Sequence, residues 1–216
     1  MKRSILFFTL IVTINSLLNA QSLVGPKFGM NLARIHDGED APSGYKDLYN
    51  VGFNAGIAGN FGLGENAALA IEFLFSQKGS YQKSENNDDF HRLETNYLEI
   101  PVMPRFLIGS DAVKFYLNAG PSFGYWLGGK TEYKTTTTLG ILDDEIQIDF
   151  NDTSNDYNRL EIGGQAGLGL LFAAGPGSFM IDARYGVGFT DFDGDDTIKA
   201  KNGVVGLSIA YLLGGN

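Results

Sequence analysis

Along most of this chain, large apolar residues fall on every second position, and the positions between them are Gly, Ser, Asn or an occasional charge. A period of two is the side-chain repeat of a β-strand, whose successive side chains point to opposite faces. In the first such segment Val24, Phe28, Met30 and Leu32 share a face, and Gly25, Lys27, Gly29 and Asn31 take the other. The pattern recurs from Val51 to Phe61, Leu69 to Ser76, Tyr97 to Phe106 and Phe115 to Tyr125. It continues from Leu160 to Leu170, Ile181 to Phe189 and Val205 to Tyr211. These segments predict eight strands, each near the roughly 9–11 residues that a tilted strand needs to cross a bilayer.

The connections alternate in length. Leu63 to Asn66, Ile108 to Ala112 and Ala173 to Gly177 are short, whereas Arg34 to Asn50, Gly79 to Arg92, Gly128 to Asn158 and Asp191 to Asn202 are long and polar. Short turns on one rim and long loops on the other is the layout of outer-membrane barrels. A soluble β-sandwich would also alternate, but its solvent face would be charged. Here that face is mainly Gly, Ser and Asn, which suits a narrow, crowded lumen. The expectation is an all-β fold, an eight-stranded antiparallel up-and-down transmembrane β-barrel. Tyr49, Phe53, Phe61, Tyr125, Tyr185 and Tyr211 fall near strand ends, where aromatic girdles sit at the membrane interfaces.

The N-terminus adds the route. Met1 to Ser4 is basic, Ile5 to Leu18 is mostly apolar, and Ala20 offers a small residue at a cleavage point. Residues 1–20 therefore read as a secretory signal peptide and 21–216 as the barrel domain, exported to the outer membrane. Without Lys2 and Arg3, 14 basic residues face 25 acidic ones, a net charge of −11. That balance leaves no basic surface for nucleic acid. Zero Cys excludes a disulfide scaffold. The expected partners are outer-membrane lipid and, by function, secretion or assembly machinery, with the chain acting as a monomer and holding no cofactor.

Particular residues carry a family resemblance. Glu72 to Gly79 (EFLFSQKG) resembles the third strand of PorT-like outer-membrane barrels, and Asn96 to Val102 (NYLEIPV) resembles their fourth. Gly25 to Asn31 and Asn118 to Gly124 are similar to the first and fifth strands, so the resemblance spans the barrel. It implies the same fold and location, and a role in secretion and maturation of proteins at the cell surface.

Three constellations are candidates for chemistry. The inward phase collects Lys27, Glu72, Glu99, Arg105, Glu161, Asp182 and Arg184 in a lumen that eight strands would fill with side chains. Desolvated charges persist only when paired, so the plain reading is a salt-bridge plug in which Arg105 also meets a carboxylate. The sharper reading is a narrow ion path or small-ligand pocket. Asp191, Asp193, Asp195 and Asp196 crowd around Gly194 as in part of a calcium loop, without its spacing or distal Glu. A solvated acidic loop tip is the plain alternative. His36 and His91 are the sole histidines, and no nucleophile stands at a spacing that would make either a catalytic base. The chain reads as non-enzymatic, with a channel or ligand binder next and a surface enzyme last.

Overall fold

The computed structural model describes residues 22–36, 44–138, 140–150, 158–190 and 200–214. Among the described residues there are ten antiparallel strands: β1 (Ser22–His36), β2 (Tyr45–Leu48), β3 (Asn50–Gly62), β4 (Ala67–Ser84), β5 (Phe90–Gly109), β6 (Val113–Thr137), β7 (Gly140–Gln147), β8 (Leu160–Ala174), β9 (Gly177–Gly188) and β10 (Lys201–Gly214). Pairing runs β4-β3-β1-β10-β9-β8-β6-β5, and β5 pairs again with β4. β2 attaches to β4 and β7 to β6.

This corrects the expectation of an eight-stranded up-and-down barrel: the sheet has ten strands in an irregular ring. β2 and β7 lie inside the stretches Arg34 to Asn50 and Gly128 to Asn158, which had read as loops. Likewise β4 runs on to Ser84 and β5 starts at Phe90, so most of Gly79 to Arg92 is strand. The reason is solvent. Within a bilayer one strand face must be apolar, but beyond it both faces meet water, and the alternation that marks a strand fades while pairing continues.

Irregularities in the ring have local causes. β4–β5 pairing lapses between Ile71↔Val102 and Leu74↔Glu99, and β5–β6 pairing lapses between Pro101↔Ser122 and Arg105↔Asn118. Pro101, Pro104 and Pro121 sit in or beside those gaps and have no N–H to donate to a ladder. A register shift separates Asn96 from Tyr97. At Gly79, three residues past the last β3–β4 pair at Ser76, φ is +129°, a conformation that side chains disfavour.

The large apolar residues face outward. Phe28, Met30, Ile57, Phe73, Phe106, Leu168, Leu207 and Ile209 are each about half exposed. A continuous apolar exterior of this extent would aggregate in water and belongs in lipid. Tyr49, Phe53, Tyr125 and Tyr185 also point outward, whereas Phe61 and Tyr211 are half-buried at the short-turn end. Leu168 is near the middle of β8. Leu168→Arg should therefore impair insertion, since a cation at the bilayer midplane costs about 2–4 kcal/mol. Thr138→Arg, in an exposed turn beyond the sheet, should insert as the parent does. Equal yields of heat-modifiable protein from the two variants would show that this face does not meet lipid.

Candidate functional site

The interior is layered along the ring axis. At the short-turn end, Leu107, Tyr116, Leu171, Met180 and Leu212 pack with Ala58, Ala68 and Ala210 into an apolar layer. These residues occupy the inward phase of their strands, the same phase that carries charges further along. Backbone there has no room to spare. A Cβ at Gly169 would collide with the Tyr116 ring, so glycine in β8 is what admits that ring to the lumen.

Above this layer lies the first charge cluster. Lys27 donates to Glu72 at 3.0 Å and to Asp182 at 3.1 Å. Arg184 grips both oxygens of Glu72 at 3.0 Å and contacts Asp182 at 2.7 Å. The Tyr116 hydroxyl donates to Asp182 at 2.7 Å, and Arg184 also donates to Gln165. Four strands, β1, β4, β9 and β6, thus converge on two carboxylates. Two cations and two anions cancel, and each carboxylate oxygen has a donor, the condition under which buried ions are tolerated.

A second cluster sits nearer the long-loop end. Lys78 bridges Glu99 at 2.9 Å and Glu161. Gln165 donates to Glu99 at 3.0 Å, and Asn202 donates to Glu161. Lys78 also lies 4.8 Å from the centroid of the Tyr97 ring, which stacks on Trp126. Between the clusters is a cavity of about 30 Å³ bordered by Asn31, Asn54, Ser76, Gln165, Asn202 and Ser208. At roughly 10–15 Å³ for each water, it holds only a few.

Of the seven charges expected in the lumen, Lys27, Glu72, Glu99, Glu161, Asp182 and Arg184 stand in ion pairs in the structure. The seventh, Arg105, departs from expectation. It is buried but meets no carboxylate. It donates to Asn60 at 3.1 Å and stacks 3.9 Å over Tyr116, with Nε and one terminal nitrogen unpartnered. Sequence reasoning missed Lys78, although the even phase of β4 already carries Glu72 and Ser76 and extends to it. Asp191, Asp193, Asp195 and Asp196, and residues 1–20, expected as a signal peptide, lie outside the described residues. Among the described residues no three His, Asp or Glu side chains gather as a metal site. His36 ends β1 opposite Lys201, and His91 lies in β5 opposite Gln82 and Tyr133.

Because Arg105 is buried without a counter-charge, Arg105→Met should leave heat resistance unchanged or raise it. Replacing a buried charge by an apolar side chain of similar volume is often neutral or stabilising. A marked drop in the temperature at which the folded gel band disappears would mean that Arg105 is held by a charge after all.

A lipid-facing apolar exterior around a filled polar interior points to the outer membrane. Residues 19–194 match the family described as outer membrane protein beta-barrel domain. The chain belongs to that family. As a member of the outer membrane protein β-barrel domain family it is a protein of the outer membrane, its large apolar side chains facing outward. No curated protein matches it in sequence. Among solved structures it is similar to OprG of Pseudomonas aeruginosa, at 11% identity and TM-score 0.48, covering 90% of this chain and 93% of that one. It is also similar to Ail, the attachment invasion locus protein of Yersinia pestis, at 18% identity and TM-score 0.42, covering 90% and 99%. Neisserial surface protein A aligns at 12% identity and TM-score 0.41, covering 87% and 96%.

Proposed function

We propose that this protein is a non-conducting barrel that serves as an accessory to the secretion and assembly of surface proteins, as the PorT-like barrels it resembles are expected to do. The observation that carries the reading is the blocked lumen. An apolar layer closes one end, two charge clusters fill the middle, and the cavity between them has room for a few waters only. Transport through the ring therefore has no route, and the surface left for work is the sheet that projects beyond the bilayer.

The resembling segments supply the lumen itself: Glu72, Lys78 and Glu99 all come from them.

Two measurements test this. Purified protein in planar bilayers should pass no steady single-channel current, and a deletion strain should retain surface-destined proteins in the periplasm. Steady conductance would make it a narrow channel. Normal surface display in the deletion strain would remove the accessory role and leave a purely structural barrel.

A further inference from the structure

Beyond the bilayer, β2, β4, β5, β6 and β7 form a projecting sheet with the pairings β2–β4, β4–β5, β5–β6 and β6–β7. One row of cross-strand neighbours on it reads Asp47, Gln82, His91, Tyr133, Asp144. Because side chains alternate by two, Tyr45 and Thr135 lie on the same face as that row. The Phe90 ring closes the end, fixed by a contact with Tyr81 at 6.0 Å. Tyr45, Gln82, Phe90, His91, Tyr133 and Thr135 together line a groove of about 280 Å³. That is close to the lower bound for small-molecule sites, about 300 Å³.

We propose that this groove binds a neutral saccharide. Half-buried aromatic rings at Tyr45 and Tyr133 offer the flat apolar faces on which the C–H side of a sugar ring stacks, with Phe90, whose side chain alternates to the other face, bordering the end. The polar groups among them are largely unspent. His91, the Tyr45 hydroxyl and the Thr135 hydroxyl make no hydrogen bond among the described residues, and Gln82 uses only its amide nitrogen, on Asp47 at 2.9 Å. Such groups can each donate or accept, as a polyhydroxylated ligand requires. Charge sets the class further. Asp47 flanks one side, paired with Arg34 at 3.3 Å, and Asp144, which accepts from Tyr133 at 3.4 Å, flanks the other. The Asp144 carboxylate, with no cationic partner among the described residues, repels sulfated or carboxylated sugars and leaves a neutral one favoured.

The opposite face of the sheet makes the contrast. Its groove is also aromatic, with Tyr49, Tyr81 and Phe90. But its guanidinium at Arg92 is already spent on Asn50 at 2.7 Å and Glu94 at 2.8 Å. That groove carries a committed ion group, whereas no Lys, Arg, Asp or Glu lines the His91 groove.

The test uses the whole protein in amine-oxide micelles, which carry no sugar headgroup. Saturation-transfer NMR is run with glucose, galactose, mannose, N-acetylglucosamine and their short oligomers, with a sulfated disaccharide for comparison. Transfer to the ring C–H protons of at least one neutral sugar is expected, with the sulfated one weaker. Tyr133→Ala and His91→Ala should each weaken binding by about tenfold, the loss typical of an anchoring side chain, while the folded gel band persists. His91 is exposed on its strand, so its variant keeps the test open if the tyrosine variant fails to fold. Three results overturn the proposal: no transfer to any neutral sugar, preference for the sulfated sugar, or unchanged binding in His91→Ala.

Discussion

Glu72→Ala should destabilise the barrel by about 3–5 kcal/mol, the loss expected when one member of a buried ion group is removed. Glu72 is 1% exposed and is the hub of the first cluster. It takes a proton donor from Lys27 and two from Arg184. Without it, both cations must share Asp182, which already accepts from Tyr116, and one positive charge is left in a low-dielectric interior. Glu72→Gln should cost less, because its amide oxygen still accepts one of the donors. The measurement is the urea or temperature midpoint of the shift between folded and unfolded gel bands. For comparison, Glu85→Ala breaks the exposed Lys46–Glu85 pair and should leave the midpoint where it is, since exposed pairs are screened and worth little. If Glu72→Ala and Glu85→Ala behave alike, water reaches Glu72, and the blocked-lumen reading fails with it.

The contrast between those two pairs also shows what could be read in advance. A period of two sorted every membrane-crossing strand into a lipid face and a lumen face. Phase alone therefore put Glu72 and Asp182 inside and Phe73 and Ile181 outside. Phase does not say who meets whom. Lys27 reaches Glu72 and Asp182 across 45 and 155 residues of chain, distances at which pairing depends on ring closure and stagger. Arg105 went unmatched for that reason: it is cross-strand from Asn118, not from an acid. Lys78 was missed because its strand was ended at Ser76, where the apolar face gives out, although the backbone continues as β4 to Ser84. The apolar layer at the short-turn end was hidden differently. Leu107, Leu171 and Leu212 follow directly on apolar outward residues, so the alternation there is lost in a run of similar side chains. β2 and β7 lie outside lipid and had no apolar face to reveal them.

Lys78→Met is the second large effect expected, of a similar order to Glu72→Ala at about 3–5 kcal/mol. The two clusters are not equivalent. The first balances two cations against two anions. The second sets a single ammonium, 4% exposed, between Glu99 and Glu161. Removing it leaves two buried carboxylates across the same gap. Gln165 and Asn202 supply neutral donors to them, which cannot offset mutual repulsion at low dielectric. The neighbouring Lys27–Arg184 group offers no relief, because its charges are committed to Glu72 and Asp182. Pairing specificity is tested by a double-mutant cycle. Glu161→Gln alone should cost moderately, because Lys78 keeps Glu99. Adding Glu161→Gln to Lys78→Met should restore part of the lost stability, since only one carboxylate then remains uncompensated. Additive losses in the cycle would mean that Lys78 and Glu161 are not coupled. The same double variant is informative in bilayers. The apolar layer of Leu107, Leu171, Met180 and Leu212 lies beyond the first cluster from Lys78, so the folded double variant should remain closed to current. Conductance in it would show that the ion pair, and not the apolar layer, holds the lumen shut.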